Sequence, residues 1–278
     1  MTSTSSQNAA LTVAYHGGAF RGFAENPDVR TVMGELRAAT ERVVGAPVEF
    51  TGAGRTDAGV HAWGQVVSGQ LPASTDLDRL TRSINRLCGP EIVVRRAQWV
   101  DDNFSARFSA TQRAYRYDVW DAIAPHPLRA ANTWFVPRIG ADGPPRPLDL
   151  EAMNGAADHL LGEHDFSSFC RRPDPRPGGD PPSLVRRVVS ARWMRVDVDE
   201  ADDGGRLVRF EVAATSFCHQ MVRSIVGTLV DVGRGRIAAA AMPQIVMARD
   251  RAAAGAVAPP TGLTLWSVAY SGTRWDAG

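Results

Sequence analysis

The sequence predicts an α+β fold in which one order of strands and helices occurs twice. Strand-like and helix-like segments alternate along residues 11–105, and a similar order returns from residue 114 towards the C-terminal region. The chain has 278 residues, of which 44% are hydrophobic, so it can bury a large core in one or two domains. These observations exclude disorder as a description of the whole chain.

The first half follows the order βαββαβ, which is that of a ferredoxin-like unit. Its predicted segments are strand 11–15, helix 31–44, strands 48–51 and 63–71, helix 77–88 and strand 92–100. Thr31 is the predicted N-cap of the first helix, and Gly89-Pro90 ends the second. A Gly-rich loop separates the second and third strands.

The second half repeats this order with longer connections. Its predicted segments are strand 114–120, helix 150–161, strands 185–198 and 207–213, helix 217–232, an inserted helix 243–250 and strand 263–270. The halves share architecture rather than residue-level similarity. We therefore predict a disordered tail over residues 1–10, a first domain over 11–105 and a second over 106–278, both with antiparallel sheets.

The terminal and apolar segments indicate a soluble, cytoplasmic protein. Residues 1–10 have neither a basic start nor an apolar stretch, so they do not look like a targeting sequence. Charged residues or glycine interrupt every apolar run well before the roughly 20 residues that a membrane helix needs. Cys88, Cys170 and Cys218 are too widely spaced for a disulfide framework or a zinc site, so we expect structural thiols and no metal.

The basic residues are all arginines, and their distribution is more informative than their total. The net charge is only +1, which by itself argues against binding to nucleic acid. Arginines nevertheless cluster over residues 171–195, partly in the Pro- and Gly-rich segment 171–182, RRPDPRPGGDPP. That segment is predicted to be a loop. It either contacts RNA or is simply solvated, and the all-arginine composition also fits a GC-rich genome.

The segment GAGRTDAGVHAWGQ, residues 52–65, carries the strongest candidate for chemistry. Its glycines permit a sharply bent loop that can present the carboxylate of Asp57 in a cleft, with Arg55 nearby to keep it ionised. The alternative is a tight connection in which Asp57 makes an Asx-type turn bond. His61 is interpreted as a hydrogen-bonding loop histidine, because no cysteine or second histidine has ligand-like spacing.

Five ordered motifs over nearly the whole chain resemble those of the TruA family of tRNA pseudouridine synthases. They are GRTDAGVHA followed by WGQVV, FSARFSATQRAYRY at 104–117, FSSF at 166–169, FCHQMVRSIVGTLVDVGRG at 217–235 and GLTLWSV at 262–268. The resemblance implies that Asp57 is the catalytic residue and that Tyr115 contacts the target base. It further implies that Arg55 helps to hold the flipped-out geometry and that Leu263 lines the uracil pocket.

Further RNA contacts are expected from basic side chains near these motifs. Arg107 and Arg113 flank the region of Tyr115, while His219 and Arg223 lie four residues apart on the predicted helix 217–232. The latter pair could meet one RNA phosphate together or form a solvated surface pair.

By resemblance, the chain isomerises uridine to pseudouridine at positions 38, 39 and 40 of the tRNA anticodon arm. It would act as a homodimer, without a cofactor or metal, and bind RNA in a central cleft. The carboxylate could attack C1′ or C6 or remove a ribose proton, and the residues do not choose among these routes. The chain departs from the family pattern at His16, Phe23, Ala24 and Met33.

Two other functional classes fit parts of the sequence. A noncatalytic RNA-recognition protein can share ferredoxin-like units, but the aromatic strand pattern of such modules is missing. A nucleoside or glycoside hydrolase usually presents two carboxylates around the bond, whereas only Asp57 stands in such a loop.

Overall fold

The structure of the protein is a computed structural model, which describes residues 5–138, 145–171, 182–197, 205–270 and 273–275. The strands are β1 (Ser6–Tyr15), β2 (Thr51–Gly52), β3 (His61–Pro72), β4 (Ile92–Trp99), β5 (Ala110–Ala122), β6 (Trp134–Pro137), β7 (Gly162–Asp165), β8 (Val185–Val196), β9 (Arg206–Ala214), β10 (Leu263–Tyr270) and β11 (Thr273–Trp275). The helices are α1 (Val32–Val44), α2 (Leu77–Cys88), α3 (Leu150–Asp158), α4 (Met221–Gly233) and α5 (Met242–Ala248). The chain folds as a mixed α and β protein whose strands pair mostly in antiparallel fashion.

The first compact unit comprises Met1–Arg113 and Thr264–Gly278. Its strands lie in the order β4-β1-β3-β10, with β2 paired to β3 and β11 paired to β10. The pairing is antiparallel except between β3 and β10, which run parallel. Elements β1, α1, β2, β3, α2 and β4 follow one another in the predicted order.

Local chemistry explains where the helices of this unit begin and end. The Thr31 hydroxyl accepts a hydrogen bond from the Gly34 amide, which confirms Thr31 as the N-cap of α1. Gly45 ends α1 with a φ of 71°, in the left-handed region that favours glycine. The amide group of Asn85 on α2 makes two reciprocal bonds with the backbone of Val94, so the helix is fastened to the edge strand β4.

The predicted disordered tail over residues 1–10 is wrong for residues 6–10. They form the start of β1, where Ser6 pairs with Pro72 and Ala10 with Ser68. The polar composition of this segment suggested a tail, but the amide of Asn8 is almost fully buried and donates to the carbonyl oxygens of Asp101 and Phe104. A buried, bonded amide is compatible with a strand, because its polar atoms are satisfied.

The second compact unit comprises Ala114–Leu263. The strand order within it is β5-β9-β8-β7, with β6 paired in parallel to β5. Buried aromatic rings support this sheet: Trp193 on β8 packs against Phe210 on β9, with 5.1 Å between ring centroids. The predicted strand 207–213 and inserted helix 243–250 correspond to β9 and α5.

Helix α4 differs from the prediction in its first residue, and strand β10 differs in the unit to which it belongs. Helix α4 begins at Met221 rather than Phe217, because Gln220 adopts a left-handed φ of 64° that a continuous helix does not allow. Met221, Ile225 and Leu229, spaced four residues apart on one helix face, are fully buried. Strand β10 pairs with β3 and therefore belongs to the first unit. The predicted domain ranges, 11–105 and 106–278, stay predictions.

The structure also bears on the predictions about membrane helices, cysteines and the arginine-rich loop. Within the described ranges, no helix combines the length and apolar character required to cross a membrane. The cysteines are free thiols. Most of the predicted loop 171–182 lies outside the described residues.

Asp121 is the central ionic group of the second unit. Its buried carboxylate accepts hydrogen bonds from Nε of Arg138 at 2.9 Å and Nε of Arg206 at 2.6 Å. It also accepts a bond from the Leu148 amide at 3.0 Å. One carboxylate therefore joins strands β5 and β9 to the segment that leads into α3.

We predict that Asp121→Asn lowers the free energy of unfolding by about 3 kcal/mol, because it leaves two largely buried guanidinium groups without a counter-charge. Urea denaturation of the purified chain measures this loss. The matched control is Asp158→Asn, which changes an exposed aspartate at the end of α3 and is expected to leave stability within about 0.5 kcal/mol. Equal stability of the two variants would contradict the role given to Asp121.

Candidate active site

The loop between β2 and β3 places Asp57 in the first unit. Arg55 is exposed, Thr56 is 7% exposed and Asp57 is half-buried. The arginine therefore points towards solvent, whereas the threonine is anchored in the protein. Asp57 lies at the boundary between these environments, where a carboxylate can meet both a substrate and fixed protein groups.

A tight turn begins at Asp57. The Asp57 carbonyl oxygen accepts a hydrogen bond from the Val60 amide at 3.1 Å. Gly59, the third residue of the turn, has a φ of 80°, as a type II turn requires at this position. The bond that closes the turn thus uses the main chain of Asp57 rather than its carboxylate.

Thr56 fastens the loop from two directions. Its hydroxyl lies 2.7 Å from the hydroxyl of Tyr15 on β1, and its carbonyl oxygen accepts from the Phe23 amide at 3.1 Å. Tyr15 and Phe23 also stack on each other, with ring centroids 6.0 Å apart. Burial raises the pKa of Tyr15 above its ordinary value, so its hydroxyl stays protonated at neutral pH.

The start of the loop is held by Gln65 and Arg113. The buried Gln65 side chain donates to the Gly54 carbonyl oxygen at 2.8 Å. Nη2 of Arg113 donates to the carbonyl oxygens of Ala53 at 3.0 Å and Arg107 at 2.8 Å. Arg113, expected to contact RNA, therefore positions the loop that carries Asp57. Because Asp57 is the expected catalytic residue, this loop is called here the catalytic loop.

Glycines allow a second loop to approach closely. A Cβ atom at Gly17 would collide with the Val60 carbonyl group. Gly22 has a φ of 109°, and a Cβ atom there would lie 3.2 Å from the Thr56 carbonyl oxygen. The segment around residues 17–23 thus packs directly against the catalytic loop.

This packing explains part of the departure from the family pattern. Phe23 and Met33 are buried, and both approach Gly52 at the base of the catalytic loop. His16 is exposed and Ala24 is half-buried. The side chains of Phe23 and Met33 therefore pack against the start of this loop and do not face solvent.

His61 makes a hydrogen bond, as predicted, but it is the first residue of β3 and not a loop residue. Its Nδ1 accepts from the Gly17 amide at 3.1 Å, which places the ring proton on Nε2 in the neutral form. The His16 ring lies 4.4 Å away between centroids. Across the part of the chain that the structure describes, no group of three or more His, Cys, Asp or Glu side chains is arranged to hold a metal ion.

Tyr115 and Leu263 occupy the second unit. Tyr115 on β5 is 9% exposed, and its ring meets that of Phe217 edge to face at 5.1 Å between centroids. Leu263 is buried. The adjacent Gly262 leaves room for the ring of Tyr117, whose hydroxyl donates to the Pro259 carbonyl oxygen. The ring of Phe217 thus packs against Tyr115 and fixes the orientation of the Tyr115 ring.

The predicted helix face shared by His219 and Arg223 is wrong. His219 lies in the turn before α4, and its carbonyl oxygen accepts from the Arg171 amide at 3.1 Å. Arg223 is inside the helix, and its Nε donates to the Ala258 carbonyl oxygen at 2.8 Å. Arg107 is exposed, with its guanidinium 5.3 Å from the centre of the Phe108 ring. The RNA-binding roles of these residues stay predictions.

The sequence interpretation missed Tyr15, Thr56 and Gln65 as supports of the site. Gln65 offered a signal, because an amide side chain inside the apolar strand WGQVV must find a partner when it is buried. The bond between Tyr15 and Thr56 had no comparable signal, since the two residues are far apart in sequence.

We predict that Tyr15→Phe lowers kcat about tenfold while changing the free energy of unfolding by only about 1 kcal/mol. The loss of the bond to Thr56 frees the residue next to Asp57, the expected catalytic residue, and small displacements of such a group are costly. Single-turnover pseudouridine formation, the reaction that the family resemblance implies, and urea denaturation measure the two effects. The control is Tyr270→Phe, which removes a buried hydroxyl bonded to Ala106 instead. A similar loss of rate in both variants would contradict the specific role of Tyr15.

Comparison with known proteins identifies the family. A family model described as tRNA pseudouridine synthase matches residues 156–271. Proteins named tRNA pseudouridine synthase A match over nearly the whole chain. The protein from Acetivibrio thermocellus is 35% identical over 264 residues, which cover 95% of this chain and 100% of the relative. Those from Cutibacterium acnes and Brevibacillus brevis are each 38% identical and cover 94% and 93% of this chain, and 88% and 97% of their own lengths.

The similarity to solved structures is weaker. A chain of the archaeal box H/ACA sRNP Nop10-Cbf5 complex aligns with 12% identity and a TM-score of 0.29, covering 81% of this chain and 42% of that chain. Such a score supports no conclusion. The three relatives, in contrast, are 35% to 38% identical to this chain over nearly its whole length, which establishes the family. The chain therefore belongs to the tRNA pseudouridine synthase A family.

Proposed function

We propose that this chain forms pseudouridine at positions 38, 39 and 40 of the tRNA anticodon arm, with Asp57 as its catalytic carboxylate. Its family makes it an isomerase that converts uridine to pseudouridine in tRNA. The observation that supports Asp57 is its position: it begins a turn whose flanking residues are fixed by hydrogen bonds, and its side chain is only half-buried.

The reaction breaks the bond between uracil N1 and ribose C1′ and forms a bond between C5 and C1′. C5 loses its proton and N1 gains one, so no oxidant, reductant or energy source is consumed. A single carboxylate suffices, either as a nucleophile towards C1′ or C6 or as a base for a ribose proton. The fixed turn favours each of these routes, because it holds the carboxylate in one place.

The target uridine lies in a stacked stem-loop and must be turned out of the stack. We assign Tyr115 to the extruded base, since its ring is oriented by the edge contact with Phe217. Leu263 would line the uracil pocket, and the exposed Arg55 would hold the flipped-out conformation. These roles combine an apolar pocket with one cation, as recognition of a flipped base requires.

The remaining parts of the proposal concern the wider complex. Arg107, Arg113, His219 and Arg223 would contact tRNA. The proposal also includes two ferredoxin-like halves, a central RNA-binding cleft, a homodimer and a cytoplasmic location. The near-neutral net charge of +1 is compatible with self-association.

We predict that Asp57→Asn lowers pseudouridine formation at least about 100-fold without abolishing tRNA binding, because it removes the reacting carboxylate and little volume. Pseudouridine mapping of tRNA after incubation measures the product, and filter binding measures affinity. Asp101→Asn, at an exposed aspartate of the same unit, is the control and should keep full activity. Undiminished product with Asp57→Asn would overturn the catalytic assignment, and release of free uracil by the parent chain would indicate a hydrolase.

We further predict that tRNA affinity falls steeply as salt increases. Arginine contacts to phosphates release counterions, so the logarithm of the association constant decreases linearly with the logarithm of the salt concentration. Binding measured from low to high KCl gives the slope. An affinity that stays constant over a severalfold increase in salt would contradict an arginine-lined tRNA surface.

A further inference from the structure

Two tryptophans and an arginine form a cluster in the first unit, called here the Trp63 cluster: Trp63 on β3, Arg95 on β4 and Trp266 on β10. The guanidinium of Arg95 lies 3.5 Å from the centre of the Trp63 ring, and its Nη1 donates to the Trp63 carbonyl oxygen at 3.3 Å. The rings of Trp63 and Trp266 stack, with 5.9 Å between centroids and an interplanar angle of 17°. Because β1 lies between β4 and β3, the arginine extends across β1 to reach the ring.

The cluster lies at the end of β3 from which the catalytic loop emerges. Strand β3 begins at His61, immediately after the turn that starts at Asp57. His61 pairs with Thr264 and Ala62 with Leu265, so β10 brings Trp266 alongside this same end. An RNA strand that delivers its uridine to Asp57 must pass close to the start of β3.

Arg95 is a partly buried cation beside an exposed indole ring. Burial lowers the pKa of its guanidinium, although the residue stays cationic at neutral pH. Trp63 leaves 41% of its surface exposed beside this cation. An exposed indole next to a stacked guanidinium is a combination that nucleic acids recognise, through stacking and phosphate contact.

A purely structural role would be to clamp β10 onto β3. The backbone already makes this contact very close, since a Cβ atom at Gly64 would collide with the Trp266 carbonyl group. The parallel pairing of Thr264 with His61 adds to it. The exposed part of the indole and the guanidinium are therefore not explained by strand attachment alone.

We propose that the Trp63 cluster binds the tRNA backbone beside the target uridine, with Arg95 contacting a phosphate and the indoles contacting the adjoining nucleotide. This inference rests on the proposed function. Trp63 holds the planar guanidinium in a fixed orientation, which suits paired hydrogen bonds to phosphate oxygens. The cluster is thus a binding site and takes no part in bond breaking.

The test measures tRNA affinity as a function of KCl concentration in the Asp57→Asn chain, so that binding is observed without turnover. Adding Arg95→Gln should weaken binding about tenfold and reduce the magnitude of the salt slope by about 0.7 to 0.9, the value of one phosphate contact. Arg95→Lys should retain most of the slope. Trp63→Ala should weaken binding to a similar extent through lost stacking. In the chain with Asp57 intact, these changes should raise KM and leave kcat nearly unchanged.

The control is Arg37→Gln on α1, which removes an arginine already bonded to Glu25 and Glu41 and should leave the slope unchanged. Parent-like affinity and slope in Arg95→Gln and in the milder Trp63→Phe, with only a lower melting temperature, would show a structural clamp and overturn the inference. Failure of the proposed function looks different, because Asp57→Asn would then keep forming pseudouridine whatever the slopes are.

Discussion

The backbone around Asp57 is held in position by hydrogen bonds that its neighbours make. Thr56 is tied to β1 through Tyr15 and to a second loop through Phe23. Gln65 and Arg113 hold the other end of the same loop by its carbonyl oxygens. In the proposed function this carboxylate needs a fixed backbone, and side chains from several segments provide it.

The bond between the Phe23 amide and the Thr56 carbonyl oxygen requires two backbone segments to come close together. Gly17 and Gly22 lie outside the catalytic loop, yet a side chain at Gly17 would collide with the loop backbone and one at Gly22 would be strained by its positive φ. The pair of glycines and the buried Phe23 therefore support the loop that carries Asp57. At two positions where the chain departs from the family pattern, Phe23 and Met33 form an apolar contact with Gly52.

Features that depend on local chemistry were predictable from the sequence. Thr31 caps α1, the glycine-rich segment forms the bent loop around Asp57, and the buried face of α4 follows its four-residue spacing. Features that depend on distant partners were not. Residues 6–10 become a strand because β3 pairs with them, and α4 starts late because the backbone at Gln220 is left-handed. Arg113 was expected to face RNA only, since its bond to Ala53 spans a large sequence separation.

The parallel pairing of β10 with β3 has a consequence for biosynthesis. The unit that contains Asp57 is interrupted in sequence by all of Ala114–Leu263, and its last large strand follows that insertion. During synthesis on the ribosome, β3 lacks its neighbour β10 until the final segment of the chain has emerged. The modification enzyme thus completes the unit that contains Asp57 last, so a prematurely terminated chain would lack a strand beside the loop of Asp57.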